Sequence, residues 1–96
     1  MSIERLHNHV RHWEQSRWWA RTAAGTRGEL VYALVQRLAD LAADAEHRDR
    51  RPVPREPDLV LPDQLRVMSD DLLAADPTPT ILARAATATT ETHQAL

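Results

Sequence analysis

The chain has 96 residues, 43% of them hydrophobic, and a formal net charge of −2. That supports one modest core and is too apolar for a disordered chain. There is no Cys, and all twelve basic residues are Arg, which excludes a disulfide framework, a thiolate nucleophile, a Walker lysine and a Schiff-base amine.

The core materials are unusual. Phe is absent, Leu, Val and Ala carry most of the apolar mass, and the three Trp sit together at Trp13, Trp18 and Trp19. The Arg-rich, Ala-rich, Lys-free balance points to a GC-rich bacterial genome, so the number of arginines alone argues for no mechanism. Met1 to Val10 contains no apolar signal core, and no stretch approaches the roughly eighteen apolar residues of a membrane span. The expectation is a cytoplasmic protein with no membrane partner.

A first helix is expected over about 3–24. Ser2 can cap it, Glu4 suits its positive end, and Ile3, Leu6, Val10 and Trp13 form a stripe that Ala20 and Ala24 continue. Gly25 supplies the left-handed residue that ends it. Against this stripe Trp18 lies about 100° away and Trp19 nearly opposite, so one neighbour cannot cover all three indoles.

The second helix, 27–46, has the clearest start. Thr26-Arg27-Gly28-Glu29 is a capping box, followed by Leu30, Val31, Leu34, Val35, Leu38, Leu41, Ala42 and Ala45 on an arc about 140° wide. Tyr32, Gln36, Arg37, Asp40 and Asp44 fill the other side. The breadth of the arc marks this as the central helix.

Residues 47–61 hold Pro52, Pro54 and Pro57 and no Gly, which implies a stiff extended strap with Leu59, Val60 and Leu61 pinning its far end. A third helix over 62–75 carries Leu65, Met68, Leu72 and Ala75, and Asp76-Pro77 stops it. A fourth, 79–92, starts with Thr78 as cap and Pro79 at the first position, then frays after Thr89. The fold class expected is all-α, a four-helix bundle with a long Pro-rich connection between helices two and three, forming one domain over 1–96 and dimerising.

Three groups of residues carry candidate function. Residues 1–28 hold five Arg against two acids, net +3, while 29–96 are net −5. Arg11, Arg17 and Arg21 interleaved with Trp18 and Trp19 could hold phosphates and stack bases, making a nucleic-acid-binding accessory protein one reading. The competing account of the charge is packing of helix one beside Asp63, Asp70, Asp71 and Asp76 on helix three, which face only Arg66. Second, Trp18 and Trp19 facing away from the core suit a protein partner, with Arg11 and Arg21 at the rim. Third, His9 and His12, three apart on a helix, could chelate a metal or sense a small ligand.

Catalysis finds no support. Ser2, Ser16 and Ser69 have no nucleophile elbow, Gly25 and Gly28 form no phosphate cradle, and Asp70-Asp71 has no acid–base partner. The reading is a small non-catalytic interaction or regulatory protein without a cofactor. It buries the Trp18/Trp19 surface in a homodimer or against another protein, because a two-fold interface needs only one self-complementary patch.

Overall fold

The computed structural model describes residues 3–96, so the expected cap Ser2 lies outside the described residues. The chain is predominantly helical. The elements are α1 (Ile3–Val10), α2 (Gln15–Trp19), a hairpin of β1 (Arg21–Thr22) and β2 (Gly25–Thr26), α3 (Arg27–Ala45), a 3-10 turn (Asp58–Val60), α4 (Leu61–Ala74) and α5 (Pro79–Ala95).

The single helix expected over 3–24 does not form. It stops at Val10, restarts at Gln15 and gives way to the hairpin. A straight helix would set Trp13 and Trp18 about 140° apart and could bury only one of them. The break lets both enter the core, with ring centroids 4.9 Å apart and planes at 65°. Each buried indole contributes about 2–3 kcal/mol. Ala20 and Ala24, expected on the stripe, fall outside any helix, and Ala24 is exposed.

The hairpin pairs Arg21 with Thr26 and Thr22 with Gly25. Thr22 Oγ1 donates to the Gly25 carbonyl at 2.9 Å and accepts from the Ala24 amide at 3.1 Å. Gly25 has φ +134°, so it closes a turn rather than capping a helix. Thr26 then caps α3 as expected, its Oγ1 accepting from the Glu29 amide at 3.1 Å.

α3 is the central helix, packed against α2, α4 and α5. Val31, Leu34, Val35, Leu38, Leu41, Ala42 and Ala43 are buried, whereas Leu30 and Ala45 at its ends are half-buried. It ends where His47 takes φ 56° and the Arg48 amide donates back to the Ala43 carbonyl at 2.8 Å.

The proline strap is bound along the polar side of α3. Gln36 Oε1 accepts from the Val53 amide at 2.7 Å, Gln36 Nε2 donates to the Arg51 carbonyl at 3.0 Å, and the Tyr32 hydroxyl donates to the Val53 carbonyl. Val53 itself is buried, and the Arg55 guanidinium lies 5.0 Å over the Tyr32 ring. The strap thus returns from the end of α3 to its start, where Asp58 meets Gly28. α4 therefore runs parallel to α3, with Met68 and Asp71 beside Ala39, Ala42 and Ala43. Of the three residues expected to pin the strap, Leu61 is buried; Leu59 and Val60 are exposed, because the 3-10 turn points them outward.

α4 buries Leu61, Leu65, Ser69 and Leu72 and ends at Asp76, whose φ is 52°. α5 starts as expected, with Thr78 Oγ1 accepting from the Ile81 amide at 3.2 Å. It continues through Ala95, past the fraying expected at Thr89. Tertiary contacts hold the last turn: His93 meets His9, and Leu96 packs on the core. No described helix is long and apolar enough to cross a membrane.

Candidate functional site

The N-terminal third builds the most chemically dense corner of the molecule. Trp13 lies at its centre, with the Arg27 and Arg17 guanidinium groups 5.3 and 5.8 Å from its ring centroid and the His9 ring edge-on at 5.4 Å. Stacked guanidinium groups keep their charge available to solvent or a ligand while their flat faces cover the indole. The Nε1 groups of Trp13 and Trp18 and the Nε of Arg27 are buried without a hydrogen-bond acceptor in the chain. Each such donor costs about 1–3 kcal/mol when no acceptor meets it.

The expected Trp18/Trp19 surface is corrected by this arrangement. Trp18 is fully buried against Trp13 and has no face to offer a partner, while Trp19 is 65% exposed. The break after Val10 rotates α2 so that its one core position falls on Trp18. Trp19 lies one turn beyond Gln15 on the same side of α2. That side faces the 3-10 turn, where the Gln15 amide donates to Asp58 at 2.9 Å. Exposed Leu59 and Val60 sit on that turn. The junction of α2 with the 3-10 turn therefore carries three exposed large apolar residues, Trp19 on one element and Leu59 and Val60 on the other.

Arg11 is exposed just past the end of α1, and Arg21 is exposed on β1. Among the described residues the ion pairs are Arg48–Glu46, Arg50–Asp44 and Arg55–Asp58. None involves Arg5, Arg11, Arg17, Arg21 or Arg27. α1 does pack on α4, yet the acids of α4 form no ion pair with it; the nearest polar contact is Arg66 to His7 at 3.5 Å. Among the described residues, charge complementarity between the two helices is thus not realised as salt bridges.

His9 and His12 do not share a helix face, because α1 ends at Val10 and His12 lies in the turn beyond it. His9 meets His93 of α5 instead, Nδ1 to Nε2 at 3.0 Å. No cluster of three or more metal-ligating side chains occurs among the described residues. His93 is held below the ordinary imidazole value of 6.5, first by burial and then by neighbouring His9 and Arg5. His7 is lowered too, by burial and then by Arg66 and Arg11, with Asp63 opposing.

Three residues that organise this end were not evident as such in the sequence. Asp58 accepts from Gln15, pairs with Arg55 and lies against Gly28 in the first turn of α3, where the helix dipole favours a carboxylate. Tyr32 and Gln36 clamp the strap. A Gly inside the first turn of a strongly periodic helix was the one available signal of a close approach there. No family model matches the chain, and neither a curated protein nor a solved structure is significantly similar to it.

Proposed function

We propose that this is a small, non-catalytic, cytoplasmic interaction protein that self-associates through the corner formed by Trp19, Leu59 and Val60. The exposure of Trp19, Leu59 and Val60 on two elements that pack together carries this reading. Large aromatic anchors surrounded by smaller apolar groups and rimmed by arginine are the usual centres of protein contacts. Arg21, exposed on the strand that follows α2, supplies such a rim. A two-fold dimer is the simplest assembly, since one self-complementary corner suffices.

Sedimentation equilibrium of the wild type and of a Trp19→Ser, Leu59→Ser double variant tests it. The wild type should be dimeric at micromolar concentration and the variant monomeric, with the same far-UV circular dichroism. A wild type that stays monomeric up to the highest soluble concentration removes self-association.

A second reading has its own support. Among the described residues no ion pair involves Arg5, Arg11, Arg17, Arg21 or Arg27, as expected of a surface that meets a polyanion such as single-stranded RNA or DNA. Retention of a fluorescent oligonucleotide that falls steeply with salt, and falls further in Arg17→Ser, Arg21→Ser, would favour it over the dimer.

A further inference from the structure

We propose that His9 and His93 form an acid-sensitive latch that holds the last turn of α5 to the end of α1 at neutral pH and releases it in mild acid. The pair joins positions 84 residues apart, with His9 Nδ1 and His93 Nε2 separated by 3.0 Å and the ring centroids by 5.1 Å. A hydrogen bond between two imidazole nitrogens needs one N–H and one free lone pair. The closed pair therefore holds no more than one proton beyond its two neutral rings. A second proton turns the acceptor nitrogen into a donor, sets two N–H groups and two positive charges against each other, and parts the rings. Opening thus takes up a proton, and its equilibrium constant rises by about tenfold for each pH unit below the ordinary imidazole value.

The surroundings oppose that second proton. Arg5 of α1 lines the same hollow as His93, with the uncharged Thr90 and Gln94 of α5. Burial, then His9 and Arg5, hold the His93 imidazole below its ordinary value of 6.5. The Trp13 ring meets His9 edge-on at 81° and itself carries the Arg17 and Arg27 guanidinium groups of α2 and α3. The carboxylates of the neighbouring elements are placed elsewhere. Glu4 of α1 lines a cleft with Arg66 and Asp70, Glu14 a pocket with His12 and Arg17, and Glu91 of α5 a groove with Arg37 and Arg84. On α3, Glu29, Asp40 and Asp44 lie against Gly25, Gln36 and Arg50. Behind the latch Leu96 packs on the core, and its amide donates to the Thr92 and His93 carbonyls at 3.2 and 3.4 Å. Parting the rings removes the polar tie that keeps Leu96 seated, so acid exposes the apolar surface beneath it. The inference replaces the His9/His12 pairing with one that the fold brings together, and it does not depend on self-association.

The test is residue-resolved amide hydrogen exchange of the untagged protein at pH 7.5 and 5.0, corrected for the intrinsic pH dependence of exchange. It uses wild type, His9→Asn, His93→Gln and His12→Gln. Asn sets an amide atom where His9 Nδ1 stands, and Gln one where His93 Nε2 stands, so each keeps a partner that does not titrate. In the wild type, protection of the His93–Leu96 amides should fall at least about tenfold from pH 7.5 to 5.0, while that of α3 falls less. His12→Gln should reproduce this difference. In His9→Asn and His93→Gln the fall should vanish, whatever their protection at pH 7.5, with the wild-type circular dichroism retained. A wild-type last turn equally protected at both pH values, or a fall that persists in His9→Asn or in His93→Gln, overturns the proposal. So does an equal fall in α3, which would mark global rather than local opening.

Discussion

Gly28 in the first turn of α3 offers a sharp test of how the strap is held. A Cβ built there would stand 2.6 Å from Asp58 Oδ1, 2.9 Å from its Cγ and 3.1 Å from Oδ2. The whole carboxylate would have to withdraw by most of an ångström. It is not free to do so, because the Gln15 amide holds it at 2.9 Å and Arg55 binds its other oxygen. Retreat costs the Gln15 hydrogen bond and part of the favourable position at the helix start, about 2–3 kcal/mol together. Against this, Ala gains up to about 1 kcal/mol over Gly in helix propensity. Gly28→Ala should therefore destabilise by about 1–2 kcal/mol.

The sign depends on Asp58, which makes the reasoning refutable. In an Asp58→Ala background the obstruction is gone, and Gly28→Ala should stabilise by up to about 1 kcal/mol. Urea denaturation followed by circular dichroism, on the wild type, both single variants and the double variant, gives the coupling directly. A domain of this size translates 1 kcal/mol into about 4–8 °C of Tm, so the reversal of sign is measurable. If Gly28→Ala raises stability in the wild-type background, or has the same effect in both backgrounds, the strap does not press on α3 as described.

Two further outcomes follow from the core and from the histidines. Trp18→Ala, which empties a fully buried site, should cost about 3–5 kcal/mol in urea denaturation, whereas Trp18→Phe, which removes an indole N–H with no acceptor, should cost much less. Equal losses for the two would show that the indole shape, not its apolar bulk, fills the site. For His7 and His93 the folded state favours the neutral ring, since both are lowered from 6.5. The unfolded chain then binds more protons between the lowered and ordinary values, so their contribution is complete above about pH 6.5 and is lost as pH falls below it. Tm should decline from pH 7 towards pH 5.5, and a His7→Gln, His93→Gln variant should flatten that decline.

The elements that were legible in the sequence are those with local signals. Thr26 and Glu29 announced α3, Thr78 and Pro79 announced α5, and Asp76-Pro77 ended α4, because capping and proline chemistry act over three or four residues. The Leu and Val stripe of α3 was legible for the same reason. The first helix was misread because its stripe from Ile3 to Trp13 is genuinely helical, and nothing local in His12-Trp13-Glu14 forbids continuation. What breaks it is the reward of burying Trp18 beside Trp13, a tertiary term that periodicity along one helix does not contain. The same term extends α5 past Thr89, through His93 and Leu96.

The candidate site was harder to read because it is assembled across the chain. The periodicity predicts that Trp18 and Trp19 together form the exposed surface; Trp18 is buried against Trp13, and only Trp19 of the pair is exposed. Its companions Leu59 and Val60 were assigned to the core, because an apolar triplet after a proline strap reads as an anchor. The 3-10 turn changes that: Asp58 is drawn onto α3 and α2, which leaves Leu61 as the inward residue and Leu59 and Val60 exposed. The carboxylate that fixes the strap thus also sets the exposed corner. Asp58→Ala should accordingly lower stability in urea denaturation, whereas Trp19→Ser, at an exposed position, should leave stability nearly unchanged.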